Sequence, residues 1–357
     1  MANFEQLMIS KIDKTTTDCS VISFAVPEGK KALFRFKQGQ HLTLASTINN
    51  EEVRRSYSLC SSPNDQEWKV AIKQIEGGVF STYANTELKT GDTLKVMPPS
   101  GDFYIEVDPK NAKNYIAFAA GSGITPILSI IKTHLQGEPN STFKLFFVNR
   151  TAKSIILKEE IEQLKNTYFD RFQVFYFLTK EQRDIPFLNG RFTSEKLQFL
   201  TQTFIHTATT DDCFICGPKE MIFLIRDEME TAGLAKDKIH YELFFSGESE
   251  DNEQRIAKVI EQIAKGTAVT VIDGSKEFHF TMDEDHDNIL DGALAAGADL
   301  PYACKGGVCS TCKCRVVEGA VKMKINYALD DKEVAQKLVL SYQAVPTTER
   351  VIVDFDV

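Results

Sequence analysis

Hydrophobic positions along the chain fall into three successive regimes. Up to about residue 105, short runs alternate apolar and polar residues, as in Gln40–Ala45, Arg55–Cys60 and Trp68–Lys73, with Gly and Pro between them. A period of two puts every second side chain on one face, so these runs predict half-buried strands and an all-β unit closed as an antiparallel barrel. One helix is predicted within it, Phe80–Leu88, after Gly77 and Gly78.

From about 110 to 245 the pattern changes. Apolar runs at Tyr115–Ala120, Phe143–Val148, Phe172–Leu178, Cys213–Cys216 and Ile239–Phe245 alternate with helix-like segments: one through Ile131, then Ser154 to Tyr168, Ser194–Phe204 and Pro218–Ala232. Strands separated by helices predict a doubly wound parallel α/β sheet with ligands at the strand carboxyl ends. Residues 246–266 are polar and read as a linker; the remainder is β-rich, with one helix-like run, Ile289–Ala296, before a group of cysteines. The predicted boundaries are 1–107, 108–245, 246–266 and 267–357. The last is read as a β-grasp, ferredoxin-like domain.

Composition narrows the function classes. With 357 residues, 43% of them hydrophobic, the chain has material for two or three cores. No segment approaches the length of a membrane span, and Met1–Ser10 lacks the pattern of a secretory leader, so a soluble cytoplasmic protein is expected. A net charge of −9 argues against nucleic acid. Residues 267–357 hold nine Lys and Arg against fifteen Asp and Glu; this is either a solvated surface or a face that steers a basic partner.

Four of the eight cysteines lie between residues 304 and 314. Cys304, Cys309 and Cys312 follow the C-x4-C-x2-C spacing of a plant-type [2Fe–2S] site, which takes a fourth cysteine further on. Gly306 and Gly307 allow the loop to fold closely and aim N–H groups at sulfur. Structural zinc prefers paired C-x2-C runs and is the weaker alternative. The expected fourth position holds Tyr342, a harder oxygen donor than thiolate. Cys314 is the nearby substitute.

Four further motifs are each weak and have plain structural explanations. Arg55 and Tyr57 share a strand face, fit for a phosphate and a flat ring. Gly78 and Ser81 open the first helix. In Gly121-Ser-Gly123-Ile-Thr125-Pro126 a glycine turn meets a helix start where Thr125 suits the cap and Pro126 the first helical position. Cys216-Gly-Pro ends a strand before a helix. Arg150, Thr179, Lys180 and Arg191 follow strand ends, where basic groups favour a 2′-phosphate and hence NADPH over NADH.

Taken in order, R-x-Y-S, G-G-x-x-S, G-x-G-I-T-P and C-G-P resemble the ferredoxin–NADP reductase family. With the cysteine-rich tail, and with Tyr302–Cys309 and Asn326–Leu329, the chain resembles the reductases of multicomponent phenylacetyl-CoA epoxidases in phenylacetate catabolism. The resemblance implies Arg55, Tyr57, Ser58, Lys73, Gly78, Val79 and Ser81 for FAD; Gly121, Gly123, Thr125, Arg150, Thr179 and Lys180 for NADPH; and Tyr57, Ser58, Cys216 and Glu242 near the reacting rings. It implies a relay in which NADPH reduces FAD, electrons pass singly to the [2Fe–2S] centre, and a separate oxygenase component accepts them. The departure at Tyr342 leaves two other readings open: an NADPH-dependent flavin diaphorase or oxidase, and a C-terminal domain that serves only for docking.

Overall fold

The computed structural model describes residues 4–244, 266–282 and 286–357. These divide into two compact units, one spanning Glu5–Val53 and Tyr57–Phe244 and the other containing the C-terminal residues. Most of the expected linker, 246–265, lies outside the described residues.

The first sheet has six strands, β1 (Glu5–Thr16), β2 (Cys19–Ala25), β3 (His41–Ile48), β4 (Glu51–Ser58), β5 (Trp68–Lys73) and β6 (Thr93–Val96), in the order β4-β3-β6-β1-β2-β5. The pairings β1–β2, β1–β6, β3–β6 and β2–β5 are antiparallel. The expected barrel takes the form of a curled sheet whose edges meet at a single bridge between Leu59, just past β4, and Val70 of β5. Leu7, Ile9, Ile22, Leu42, Leu44, Val70 and Val96 fill its interior. Helix α1 (Val79–Thr86) places Phe80 and Ala84 in the same core.

The second sheet is wholly parallel: β7 (Asn114–Ala120), β8 (Thr142–Asn149), β9 (Phe172–Leu178), β10 (Asp212–Gly217) and β11 (Ile239–Leu243), in the order β11-β10-β7-β8-β9. Its helices are α2 (Ile124–Gly137), α3 (Lys158–Thr167), α4 (Ser194–Thr203) and α5 (Lys219–Thr231). Because β8 and β10 flank β7, strand order reverses beside β7, and the loops after β7 and β10 open a crevice there. Helix α3 begins four residues later than its sequence pattern suggests. Residues Ala152–Ser154 form a separate 3-10 turn, and Leu157, at φ 57°, interrupts the helical path.

The C-terminal unit carries a mixed five-stranded sheet of β12 (Ala268–Asp273), β13 (Lys276–Thr281), β14 (Lys313–Glu318), β16 (Leu338–Leu340) and β18 (Arg350–Asp354), ordered β13-β12-β18-β14-β16. A two-stranded sheet pairs β15 (Val321–Met323) with β17 (Ala344–Pro346). Only β12–β18 is parallel in the larger sheet, and the short helix Ile289–Ala295 buries Ile289, Leu290 and Ala293 in its core, which is the β-grasp arrangement.

Helix α2, which follows the glycine loop after β7, is anchored at its far end by a buried carboxylate. Glu138 accepts hydrogen bonds from Tyr115 Oη, Ser141 Oγ and Asn111 Nδ2, each at 2.8 Å. Burial alone would raise its pKa, but these donors and His134 outweigh it and hold the carboxyl at about 2. Glu138→Gln should therefore cost about 2 kcal/mol at pH 7, as donors aimed at a charge lose it. The folded pKa lies below the ordinary 4.5, so the stabilisation is complete above that value and drains as pH falls toward 2. Urea titrations of wild type and variant should converge between pH 7 and pH 3; a constant gap would refute the assignment.

Candidate functional site

Of the flavin candidates, Tyr57 on β4 is brought to the start of α1, where Gly78, Val79 and Ser81 lie. Tyr57 on β4 packs against Phe80 of α1, with ring centroids 5.7 Å apart, and Phe80 contacts Tyr83 at 6.2 Å. This aromatic contact brings the Tyr57 end of the strand to the glycine-led helix end. Arg55 is exposed and its guanidinium donates to the Arg54 carbonyl at 2.7 Å. Gly77, at φ 72°, turns the chain, and Gly78 is the N-cap residue of α1. A Cβ on Gly78 would stand 2.5 Å from Ser81 Oγ and from Ile75. Ser81 Oγ donates to the Gly78 carbonyl and accepts from Ile75 N–H, both at 3.2 Å, so it braces the loop. Val79 is exposed at the first helical position, and Lys73 ends β5 in an ion pair with Asp18 at 3.6 Å.

The nucleotide candidates line the carboxyl ends of the parallel sheet. Gly121, at φ 52°, opens a 3-10 turn, Gly121–Gly123, that runs directly into α2. The N-cap is therefore Gly123 rather than Thr125, and Pro126 is the third helical residue rather than the first. Thr125 Oγ1 instead donates to the Ser122 carbonyl at 3.0 Å and holds the turn closed. A Cβ on Gly123 would lie 2.3 Å from the Cys216 carbonyl oxygen, so only glycine allows the loop to lie against β10. Beyond β8 and β9, Thr179 N–H donates to Asn149 O at 2.9 Å and Lys180 N–H to Arg150 O at 2.8 Å. That pairing sets the Arg150 and Lys180 backbones side by side. The amide nitrogen of Asn149, at the end of β8, is buried without a hydrogen-bond partner, which suits a ligand in the crevice.

Ser58, Cys216 and Glu242 converge from three strands. Ser58 Oγ donates to Glu242 Oε2 at 3.2 Å, and Cys216 and Glu242 are register partners in the β10–β11 pair. Burial raises the Glu242 carboxyl to about 8, partly offset by the Ser58 hydrogen bond. Burial and then the Glu242 charge push the Cys216 thiol well above its ordinary range. Cys216 is thus a neutral thiol, not a thiolate nucleophile. Glu242 is a carboxyl that exchanges its proton near neutrality, and Ser58 links it to the strand carrying Tyr57.

In the C-terminal unit the cysteine loop is held by two left-handed residues, Lys305 at φ 50° and Gly307 at φ 74°. The Gly306 N–H donates to Cys304 Sγ at 3.3 Å, as the sequence suggested. The Cys309 thiol, followed by the N–H groups of Gly306, Cys309 and Val308, lowers the Cys304 pKa to about 6 against burial. Cys309 is driven well up, first by that same bond to Cys304 and then by burial. Burial raises Cys312 to about 11, opposed by the Tyr342 N–H and the Ser341 side chain. The buried hydroxyls of Thr311 and Ser341 find no oxygen or nitrogen partner and instead lie against the thiols of Cys309 and Cys312; among the described residues no group of three or more His, Cys, Asp or Glu side chains is arranged to hold a metal. Residues Thr311 and Ser341 were not singled out by the spacing argument, although their hydroxyls flank Cys312 and the expected fourth position.

Cys314 is not on the loop: it is an inward residue of β14, fully buried opposite Val339 in the apolar core, because the strand begins at Lys313 and takes it along. Tyr342 presents its ring face to Lys305, whose ammonium lies 5.2 Å from the ring centroid and 5.3 Å from that of Tyr302. Lys305 also pairs with Asp291 at 3.3 Å.

Three family models match in succession: an oxidoreductase FAD-binding domain at residues 6–105, an oxidoreductase NAD-binding domain at 118–227, and a 2Fe-2S iron-sulfur cluster binding domain at 271–347. The chain is 42% identical to a subunit of the 1,2-phenylacetyl-CoA epoxidase of Escherichia coli, over 100% of this chain and 99% of that protein. It is 31% identical to the ferredoxin reductase component of 3-ketosteroid-9-alpha-monooxygenase of Rhodococcus rhodochrous, over 98% of this chain and 96% of that one. Among solved structures, phthalate dioxygenase reductase shares the fold with a TM-score of 0.62 at 21% identity, covering 99% of this chain and 98% of that chain. The chain belongs to the ferredoxin–NADP reductase-type flavin oxidoreductases that carry a C-terminal [2Fe–2S] ferredoxin domain.

Proposed function

We propose that this chain draws electrons from NADPH and delivers them, through FAD and a [2Fe–2S] centre, to the oxygenase component of a phenylacetyl-CoA epoxidase. The observation that carries this reading is the full-length identity to a subunit of that epoxidase together with the cysteine loop. When bound, FAD supplies the conversion between hydride chemistry and one-electron transfer, and the cluster supplies a one-electron acceptor. The working divisions are 1–107 for FAD, 108–245 for NADPH, 246–266 as linker and 267–357 for the cluster.

The residues divide the work as follows. Arg55 neutralises a pyrophosphate, Tyr57 and Ser58 line the flavin ring, and Gly78, Val79 and Ser81 offer the N-terminus of α1 to phosphate. Lys73 supports this face from β5. Gly121, Gly123 and Thr125 admit the nicotinamide nucleotide at the reversal in strand order, while Arg150, Thr179 and Lys180 receive its 2′-phosphate. Cys216 packs beside the reacting rings, and Glu242 passes a proton through Ser58. Cys304, Cys309 and Cys312 hold the cluster. A second reading, an NADPH diaphorase or oxidase whose last domain only docks a partner, draws its support from Tyr342 in the expected fourth-cysteine position.

The purified chain, mixed with NADPH and the epoxidase oxygenase component, should oxidise NADPH in step with phenylacetyl-CoA; oxidation indifferent to both would favour the diaphorase. Arg55→Ala should weaken FAD retention about tenfold, the worth of a charge-assisted phosphate contact, and full flavin occupancy after gel filtration would count against its role. Arg150→Ala and Lys180→Ala should each raise KM for NADPH by about tenfold while leaving that for NADH unchanged; equal effects on both would remove the 2′-phosphate assignment. For Glu242 the folded pKa of about 8 exceeds the ordinary 4.5, so the folded state binds the extra proton between these values and loses stability as pH rises through them. Melting temperatures of wild type should fall relative to Glu242→Gln between pH 5 and pH 8, and parallel curves would contradict a half-buried carboxyl that keeps its proton.

A further inference from the structure

We propose that the side-chain amide of Asn149 donates a hydrogen bond to an oxygen of the adenosine diphosphate ribose half that NADPH and NADH have in common. The assignment deepens the reading that this domain takes a nicotinamide nucleotide, and rests on it. Asn149 is 5% exposed, and its Nδ2 is buried without a hydrogen-bond partner. An enclosed N–H left unpaired destabilises the fold, so its persistence here points to a partner other than the polypeptide.

Strand geometry fixes where that amide sits. Asn149 is the last residue of β8, and side chains alternate between the two faces of a strand. On one face Phe146 stacks on Phe118 and Phe175, with ring centroids 4.9 and 5.1 Å away. On the other, Leu145 and Phe147 join Ile124, Ile127 and Leu128 of α2 in the core. Asn149 continues this second row, on the α2 side at the carboxyl end of the strand. Ala120 of β7 pairs with Val148, so Asn149 stands level with Gly121, the first residue of the turn that leads into α2.

Donors prevail at that corner. No side chain caps the N-terminus of α2, and its first turn carries no acidic residue. Acceptors around the strand end are engaged: the Asn149 carbonyl accepts from Thr179 N–H at 2.9 Å, Ser154 Oγ from Thr151 N–H at 3.0 Å, and Glu181 Oε2 from Ala152 N–H at 2.8 Å. An uncapped helix start and a buried amide N–H together suit a ligand rich in acceptor oxygens, as a diphosphate with its ribose is. Arg150 and Lys180 are exposed, further out than the buried Asn149. With those two reading the 2′-phosphate, Asn149 reads a part of the nucleotide that does not depend on it.

The test uses the full-length, flavin-loaded chain with ADP-ribose, which lacks both the nicotinamide and the 2′-phosphate. Calorimetry gives its dissociation constant, and steady-state rates with a dye acceptor give KM for NADPH and NADH. Asn149→Leu, with the same branched shape and no polar atom, should weaken ADP-ribose about fivefold, the worth of one neutral hydrogen bond, and raise both KM values in the same proportion. Asn149→Asp, which keeps the shape but loses the donor, should weaken ADP-ribose further, because its carboxylate faces phosphate. This second variant reads the amide even where circular dichroism shows that Asn149→Leu does not fold. ADP-ribose bound as tightly by both variants as by wild type would overturn the assignment and leave the amide to a water molecule. A KM raised for NADPH alone would overturn it in favour of a contact to the 2′-phosphate. Either of those results leaves the nucleotide reading standing, whereas a wild-type chain that binds neither ADP-ribose nor NADPH would overturn both together.

Discussion

The contact between Gly123 and the carbonyl end of β10 governs the geometry of the reductase half. A single added carbon at Gly123 would come within 2.3 Å of the Cys216 oxygen, so the loop after β7 and the end of β10 can lie together only because one side chain is missing. Parallel pairing of β7 with β10 sets the two strand ends level, from Asp212 opposite Tyr115 to Cys216 opposite Ala119. The same strand, paired on its other side with β11, holds Glu242 level with Cys216. A glycine turn, a neutral thiol and a titratable carboxyl therefore arrive at one place as a consequence of strand register.

Rigidity behind that place comes from polar groups that are satisfied in the interior. Lys132 of α2 is buried between Asp65 at 2.6 Å and Glu160 at 2.7 Å, tying the segment after β4 to α2 and α3. Ser129 of the same helix donates to the Ser61 carbonyl at 2.6 Å. Such pairs contribute little net stability against an apolar alternative, because desolvation offsets much of the attraction, but they tolerate only one arrangement of partners. Orientation between the strand carrying Tyr57 and Ser58 and the sheet carrying Glu242 depends on that restriction, and a hydride donor and acceptor must be placed within a few tenths of an ångström.

The cysteine loop follows a different logic. There, left-handed backbone at Lys305 and Gly307 folds the chain so that N–H groups converge on Cys304, while the third sulfur is approached by a hydroxyl and an N–H from the turn after β16. Loop chemistry is set by residues close in sequence, and the second contribution comes from a segment nearly thirty residues later.

The order of elements, the parallel α/β region, the glycine loops and the three-cysteine spacing were legible in the sequence, because period and spacing are local and survive in one dimension. Strands β1 and β2 were not singled out: in β1 only Leu7 and Ile9 are fully buried, and the polar remainder hides its alternation. The cap of α2 fell two residues before Thr125 because a 3-10 turn, stabilised by the Thr125 side chain itself, merges with the helix. That Cys314 belongs to a core, that Ser341 faces inward beside Cys312, and that Glu242 is desolvated enough to hold its proton near neutrality were decided only by tertiary structure. Burial, register and the direction of a side chain are properties of residues brought together from distant parts of the chain, and no local pattern encodes them.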